Sequence, residues 1–254
     1  SREGWVTSLA KLMCAYVHSK RYGKNKFPVF DYSQIRKAGL PIKGFGGTSS
    51  GPGPLSTLHA RVEGYLDAFC KGELEVTADD QTKHTKHYGH SRLVADIFNA
   101  IGACVVAGNV RRSAEICLGD VEDAEFVNLK NYDINPERME IGWMSNNSVV
   151  LRADRDYEDF SYIPDMACRI RDNGEPGMIN LYNIKKFGRY GKVMKDDADL
   201  VNPCGEIALE NFELCNLGET FPPRCRNVGR FYQALKYATF YTSTVSLLPT
   251  HRPE

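Results

Sequence analysis

Segments with helical periodicity alternate along the sequence with short apolar runs, and this order constrains the fold more than any other feature. Apolar residues spaced three and four apart predict helices at residues 4–20, 55–69, 93–106, 157–171 and 228–247. Short apolar runs predict strands at 114–118, 147–151 and 178–181, and an extended segment at 26–32. Strands separated by helices usually lie parallel in one sheet, so we expect an α/β fold with a largely parallel sheet.

The polar stretches between these elements do not have the composition of a domain linker. Residues 76–90 predict a loop, while residues 202–217 predict an irregular segment around a short extended core. The sequence contains no internal repeat and no low-complexity stretch. Its 254 residues are enough to bury a substantial core, so we expect a single domain over 1–254.

The charge balance argues against two classes of partner. Lys and Arg together number 32, as do Asp and Glu, whereas a nucleic-acid-binding domain usually has a basic excess. No apolar run approaches the roughly 18 residues of a transmembrane helix. We therefore expect an ordinary globular protein that binds neither nucleic acid nor membrane.

The eight cysteines are too sparse in a chain of this length for a secreted disulfide scaffold. No Cys-x-x-Cys pair occurs, which disfavours a zinc ribbon or a thioredoxin-like motif. We therefore expect a reducing, cytoplasmic compartment. Four cysteines occupy apolar helical positions, where a buried small hydrophobe is expected: Cys14, Cys70, Cys104 and Cys168. Three others lie in a polar stretch that contains Pro and Gly: Cys204, Cys215 and Cys225.

Asn202, Cys204 and Glu206 occupy alternate positions, so an extended backbone would present all three on one face. Pro203 and Gly205 favour a loop tip over a central strand. A thiol flanked by an amide and a carboxylate is unusual in a core, because burying the carboxylate without partners is costly. The three residues alone leave a structural role and a chemical role both open.

The whole string from Asn202 to Gly218 closely resembles the active-site loop of ribonucleotide reductases. The family pattern is Asn-x-Cys-x-Glu, followed by Cys-Asn-Leu-Gly eleven residues after the first Cys, and Cys204 and Cys215 match it. The resemblance implies that Cys204 becomes a thiyl radical that abstracts the 3′ hydrogen of the substrate ribose. It further implies that Glu206 is the general base on the 3′ hydroxyl, that Asn202 holds the substrate, and that Cys215 belongs to the redox pair.

The glycine-rich stretch 44–54 resembles the first specificity loop of the same family. Backbone N–H groups and hydroxyls before a helix N-terminus suit a phosphate, although the same composition also fits a flexible connector. The Gly-Lys-Ser/Thr ending of a Walker loop is missing. The resemblance implies effector or substrate contacts from four residues: Gly46, Gly47, Thr48 and Ser49.

Residues 108–116 resemble the second specificity loop, which transmits the identity of the bound effector to the substrate base. An arginine pair in a loop is usually a solvated surface feature, but guanidinium groups also bind bases and phosphates. The residues implied in these contacts are Asn109, Arg111, Arg112 and Ser113.

Weaker matches at residues 1–5, 145–149 and 173–180 extend the resemblance along the chain in the family's order. It is strongest to the adenosylcobalamin-dependent ribonucleoside-triphosphate reductases, with the diphosphate reductases as the alternative. This implies adenosylcobalamin as cofactor, ribonucleoside triphosphate as substrate, dNTP effectors and a thioredoxin-type reductant. It also implies part of a ten-stranded α/β barrel in which 202–218 is the finger loop.

The chain departs from the family in lacking several expected features. The first redox cysteine is expected before Ser1, and Cys117 does not match its position. The late phosphate-binding turn, the C-terminal cysteine pair and most of the cobalamin surface are expected beyond Glu254. We therefore expect a partial sequence, covering the first half of the barrel and the finger loop, that is inactive alone.

Two other functions remain as alternatives. The loops could bind dNTP in a non-catalytic module, or Cys204, Cys215 and Cys225 could form a thiol redox or metal site. Arginines beside Cys225 would favour its thiolate, although an ordinary loop cysteine fits as well. The spacing of His84, His87 and His90 would align a metal site only on a helix, and the sequence there favours a loop.

Overall fold

The computed structural model describes residues 1–17, 27–42, 46–77, 83–108, 112–151, 161–191 and 193–248. The chain divides into two compact units, Ser1–Asn183 and Ile184–Glu254. The prediction of a single domain over 1–254 stays a prediction. None of the helices in these ranges is long and apolar enough to cross a membrane.

The first unit contains most of the regular structure. Its helices are α1 Arg2–Val17, α2 Gly53–Lys71, α3 His90–Val106, α4 Ala124–Val127 and α5 Ile163–Asn173, and its strands are β1 Glu73–Thr77, β2 Lys83–His87, β3 Glu115–Gly119, β4 Ser145–Leu151 and β5 Gly177–Asn180. Helix α6, Leu181–Phe187, spans the boundary. The second unit contains β6 Leu200–Val201, β7 Ala208–Leu209 and α7 Val228–Ser246. Short 3-10 turns lie at Pro136–Arg138, Gly142–Met144 and Pro222–Arg224.

Strands β3, β4 and β5 form a parallel sheet in that order. Glu115 is paired with Ser145, and Ser148 with Gly177. The α/β class and the parallel sheet are therefore confirmed. The ten-stranded barrel and its finger loop are not seen in the described part of the chain and stay predictions.

Helices α1, α2 and α3 pack around the main apolar core of the first unit. Its buried residues include Leu12, Leu55, Val62, Leu66 and Ile97. They lie at the three- and four-residue spacings from which the helices were predicted. A second cluster, with Phe126, Val149 and Met166 among its members, packs beside the parallel sheet.

A buried ionic network links α3 to the segment before β4. Arg138, which is 1% exposed, donates from Nε to Oδ1 of Asp96 at 2.6 Å. Tyr88 donates from its hydroxyl to Oδ2 of the same carboxylate at 2.9 Å, and Arg92 does so from Nε at 3.3 Å. Asn99 accepts from Arg138 at 3.0 Å. Charges buried in this way require such complete pairing.

Several sequence predictions need correction. Residues 76–90 are not one loop, because β1 and β2 form an antiparallel hairpin in which Glu73 faces His87. Polar residues suit this ribbon because its side chains are largely solvated, and Lys83 pairs with Glu75 at 2.6 Å. Residues 27–32 form no strand. Helix α5 begins at Ile163, and residues 157–160 lie outside the described ranges.

The predicted burial of the helical cysteines is partly wrong. Cys70 and Cys168 are exposed, and Cys14 and Cys104 are half-buried. Both exposed thiols lie in the last two turns of their helices, on a side turned away from the core. All eight cysteines are free thiols.

Candidate active site

Cys204 lies at the tip of a short hairpin formed by β6 and β7. Asn202 donates from its backbone nitrogen to the carbonyl of Ile207 at 3.0 Å, and Gly205 donates to the carbonyl of Asn202 at 2.8 Å. Gly205 has a φ of 85°, a conformation that glycine adopts without strain. The preference for a loop tip is thus confirmed, and the thiol of Cys204 is exposed there.

An extended backbone would place Asn202, Cys204 and Glu206 on one face, and the structure does not have this arrangement. Asn202 is 3% exposed, whereas Cys204 and Glu206 are both exposed. The turn from Asn202 to Gly205 interrupts the two-residue alternation of an extended strand. Cys204 and Glu206 still share the solvent-facing tip, so a thiol and a carboxylate are available together to one reactant.

The side chain of Asn202 joins the hairpin to the second cysteine of the motif. Its Oδ1 accepts from the backbone nitrogen of Ile207 at 2.9 Å, and its Nδ2 donates to Sγ of Cys215 at 3.4 Å. Cys215 is half-buried. An amide has two N–H groups and two carbonyl lone pairs, so these bonds leave Asn202 capacity for a further partner. The four predicted catalytic residues therefore belong to one compact unit, in which Asn202 bonds to the Cys215 thiol and also closes the turn that carries Cys204.

Two further residues of the Cys-Asn-Leu-Gly motif, Asn216 and Gly218, contact α7. Asn216 donates from Nδ2 to Oγ of Ser246 at 2.6 Å. A Cβ added at Gly218 would lie 2.9 Å from Cγ2 of Thr242, so only glycine fits here without a shift. Sequence reasoning gave these two residues no separate role, because their partners are about 25 to 30 residues later in the chain.

In the first unit, residues 46–54 of the first predicted specificity loop form a hydrogen-bonded turn, and residues 44–45 lie outside the described ranges. Gly46 and Gly47 have φ values of 73° and 78°, which explains the two glycines. Ser49 donates from its backbone nitrogen to Leu40 at 2.8 Å and from its hydroxyl to the carbonyl of Arg36 at 3.2 Å. Thr48 forms a bridge with Pro41. The alternative of a flexible connector does not fit this bonding, and the turn leads directly into α2.

The second predicted loop meets the first at Gly108. A Cβ added there would lie 3.5 Å from Cβ of Ser50 and 3.8 Å from the carbonyl oxygen of Thr48. Asn109 and Arg111 lie outside the described residues, and Arg112 is exposed. Two of the predicted loops thus come together, although the sequence places them about 60 residues apart.

Glu115 ties the end of the second loop to α3. Its carboxylate bonds to the Ser113 side chain and accepts from Nδ2 of Asn99 at 3.1 Å. Burial raises the pKa of Glu115 above its usual value. A Cβ on Gly102 would lie only 2.3 Å from Oε1 of this carboxylate, so Glu115 packs directly on the helix backbone.

The histidine hypothesis gains no support from the structure. His84 and His87 lie on β2, and His90 is the first residue of α3. The ring of His90 instead packs edge-on against Phe69, with 4.7 Å between centroids. Within the described ranges, no three His, Cys, Asp or Glu residues are grouped so that they could hold a metal ion.

The comparisons with known proteins agree with the motif resemblance. A family model described as "B12-dependent ribonucleotide reductase, insertion domain" matches residues 1–66. An adenosylcobalamin-dependent ribonucleoside-triphosphate reductase of Euglena gracilis is 42% identical, over 98% of this chain and 31% of its own length. A probable enzyme of the same name from Dictyostelium discoideum is 40% identical, over 100% of this chain and 31% of its own length.

The enzyme of that name from Lactobacillus leichmannii is 40% identical, over 87% of this chain and 28% of its own length. This chain therefore spans about a third of the length of the curated relatives it matches. A search of solved structures found no match. The resemblance inferred from the motifs is confirmed.

Proposed function

We propose that this chain, which is related over nearly its whole length to the adenosylcobalamin-dependent ribonucleoside-triphosphate reductases, carries the radical and reductant thiols of such an enzyme. The whole protein would reduce ribonucleoside triphosphates to 2′-deoxyribonucleoside triphosphates in the reducing cytoplasm. The observation that carries the proposal is the position of Asn202, which closes the Cys204 turn and bonds to Cys215.

Each residue has a defined part in this chemistry. The Cys204 thiyl radical takes the 3′ hydrogen atom of the ribose, and Glu206 takes the proton of the 3′ hydroxyl. The 2′ hydroxyl then leaves as water. Cys215 and a second thiol outside this chain together supply two electrons and two protons and become a disulfide. The Cys204 thiol finally returns a hydrogen atom to the radical at the 3′ carbon, so the product is complete and the thiyl radical is regenerated.

The exposure of Cys204 fits the cofactor of the relatives. Bound adenosylcobalamin would supply the radical that removes a hydrogen atom from the Cys204 thiol. A thiol suits this role because its S–H bond is weak. Cys204 stands at a turn tip between Pro203 and Gly205, where a large group can approach it. We place most of the cofactor-binding surface outside this chain.

The two loops of the first unit suit the regulation of this reaction. Contact between Gly108 and the Thr48–Ser50 turn gives a direct path from one loop to the other. We infer that dNTP effectors bind at the first loop and substrate selection is expressed through the second. A thioredoxin-type protein would return the oxidised thiols to the reduced state.

Substitution of Cys204 in the full-length protein tests the proposal. Cys204→Ser should abolish deoxynucleotide formation, because an O–H bond is too strong to form the radical, while dNTP binding persists. Cys225→Ser is the control and should retain turnover. Deoxynucleotide formation by the Cys204→Ser protein would refute the radical assignment. Binding of dNTP without any deoxynucleotide formation by the wild-type protein would instead favour a non-catalytic nucleotide-binding module.

Assays with matched di- and triphosphate substrates decide the substrate class. The relatives are named as triphosphate reductases. We therefore expect the triphosphate to be reduced in preference to the corresponding diphosphate.

A further inference from the structure

One arginine of the second unit is bonded to three carboxylates. Arg189 donates from Nη2 to Oδ1 of Asp196 at 2.8 Å and from Nε to Oδ2 at 3.2 Å. It also donates from Nη1 to Glu213 at 2.5 Å and from Nη2 to Glu210 at 3.4 Å. Asp196 is 2% exposed, and Arg189 holds the pKa of that carboxyl well below its usual value. Such a bidentate guanidinium contact fixes geometry as well as charge.

The two glutamates close a tight turn between the two motif cysteines. Glu213 donates from its backbone nitrogen to the carbonyl of Glu210 at 3.2 Å. The Glu213 carboxylate in return accepts from the backbone nitrogen of Glu210 at 2.7 Å. Within this turn Phe212 has a φ of 69°. A residue with a Cβ is strained in that conformation, so the turn needs support from its surroundings.

Arg189 provides that support from outside the turn. Without it, Asp196, Glu210 and Glu213 would bring three negative charges together, and Asp196 would be buried without its cation. Only Leu214 separates Glu213 from Cys215, so fixing Glu213 limits Cys215 to a reach of about 7 Å. The Asn202–Cys215 bond requires the thiol to be held at one place within that reach.

We propose that Arg189 is a positioning residue for the reductant thiol, holding the Glu210–Glu213 turn closed so that Cys215 stays against Asn202. The role given to Cys215 rests on the proposed function, whereas the positioning itself is a property of the second unit alone. No spacing pattern in the sequence singles out Arg189, because its partners are 7, 21 and 24 residues away.

Thiol labelling of the full-length protein measures the positioning directly. Arg189→Met, Arg189→Lys and Glu213→Gln are compared with wild type, and alkylation of Cys215 relative to Cys225 is followed by peptide mass spectrometry. In Arg189→Met we expect the ratio of Cys215 to Cys225 alkylation to rise about tenfold. We expect a smaller rise than after breaking a fully buried ion pair, because the Arg189 side chain is 26% exposed. Lysine should restore part of the effect, since it keeps the charge without the planar fork.

Two controls separate positioning from general loss of structure. Arg230→Met removes an exposed arginine of α7 that bonds to Gln233, and it should leave the ratio unchanged. Phe212→Gly relieves the strained position, so adding it to Arg189→Met should bring the ratio back towards the wild-type value. If Arg189→Met does not fold, Glu213→Gln keeps side-chain size and carries the same test. A ratio that stays at or falls below the wild-type value in Arg189→Met and Glu213→Gln overturns the proposal.

A single-turnover assay without external reductant links the result to reduction. Prereduced wild type should form deoxynucleotide, and Arg189→Met should form less while binding dNTP equally well. Absence of product from wild type would contradict the proposed function and leave the labelling result standing. Wild-type product together with unchanged labelling and unchanged product in the variants would contradict the positioning role alone.

Discussion

The side chain of Asn202 donates a hydrogen bond from Nδ2 to Sγ of Cys215 at 3.4 Å, although the two residues are 13 positions apart. The same side chain accepts from Ile207 through Oδ1 and so closes the Cys204 turn. One amide therefore sets both the tip that presents the first thiol and the place of the second. This double use explains why an asparagine, with a donor and an acceptor on one short side chain, occupies the position.

Asn202→Asp should separate these two uses. The carboxylate keeps an acceptor for Ile207 but loses the donor to Cys215, and its negative charge beside the sulfur should slow alkylation of Cys215. Asn202→Leu loses both bonds and leaves the Ile207 nitrogen unsatisfied, which should cost about 1–3 kcal/mol of stability. The alkylation rate of Cys215 and thermal unfolding check the two effects. Equal Cys215 alkylation in wild type and Asn202→Asp would show that the Nδ2 contact is not formed in solution.

Gly218→Ala should weaken the packing of the motif on α7. The added Cβ would lie 2.9 Å from Cγ2 of Thr242, and the hydroxyl of Thr242 is held by the Ala238 carbonyl at 3.1 Å. We expect a loss of about 1–3 kcal/mol in the free energy of unfolding. Thr242→Ser removes the opposing methyl group, so the double variant should recover most of the loss. A double-mutant cycle by denaturant unfolding measures this coupling, and strictly additive effects would refute the predicted contact.

Stability should depend on the protonation of His59. This buried residue accepts at Nδ1 from the Tyr32 hydroxyl at 2.8 Å and donates from Nε2 to Ser8 Oγ at 3.0 Å, because the Ser8 hydroxyl itself donates to the Trp5 carbonyl. Burial lowers the pKa of His59 below its usual value. The unfolded chain then binds more protons than the folded one as pH falls below about 6.5, so the free energy of unfolding decreases on the acid side.

Thermal unfolding of wild type and His59→Gln between about pH 5 and 8 checks this sign. The acid-side decrease should be smaller in His59→Gln, because glutamine has no proton to gain. Exposed His84 provides the control, and His84→Gln should retain the wild-type pH dependence. An identical pH dependence in wild type and His59→Gln would contradict the prediction.

Arg112 should influence how effectors select the substrate. If the second loop couples the two sites, Arg112→Ala should shift relative substrate preference by about 5- to 150-fold, as is typical of such couplings. Arg111→Ala is the companion variant, and Arg171→Ala, an exposed arginine bonded to Asp172, is the control. Reduction rates for paired substrates with each dNTP measure the shift. If Arg112→Ala slows all substrates equally and leaves the effector response intact, the loop has only a structural role.

Residue order alone predicted the five long helices, the three parallel strands and the motif that resembles a reductase active-site loop. The periodicity of α2 and α3 follows from burying one face, and the Asn202–Gly218 string is long enough to mark the family. Polar composition wrongly predicted a loop where β1 and β2 form a hairpin, because cross-strand pairing can stabilise a hairpin with little burial. The alternate spacing of Asn202, Cys204 and Glu206 did not predict the turn that the backbone makes there.

Only the tertiary structure decided which distant residues meet. Three such contacts depend on reversals of the chain direction. They are the contact of Gly108 with Ser50, the hydrogen bond of Asn202 to Cys215, and the ion pairs of Arg189 with Asp196, Glu210 and Glu213. Sequence periodicity reports the face that a local segment buries, because that depends on a repeat of two or 3.6 residues. It carries no information on which polar groups from separate segments form hydrogen bonds or ion pairs with one another, since those pairs depend on how the segments pack together.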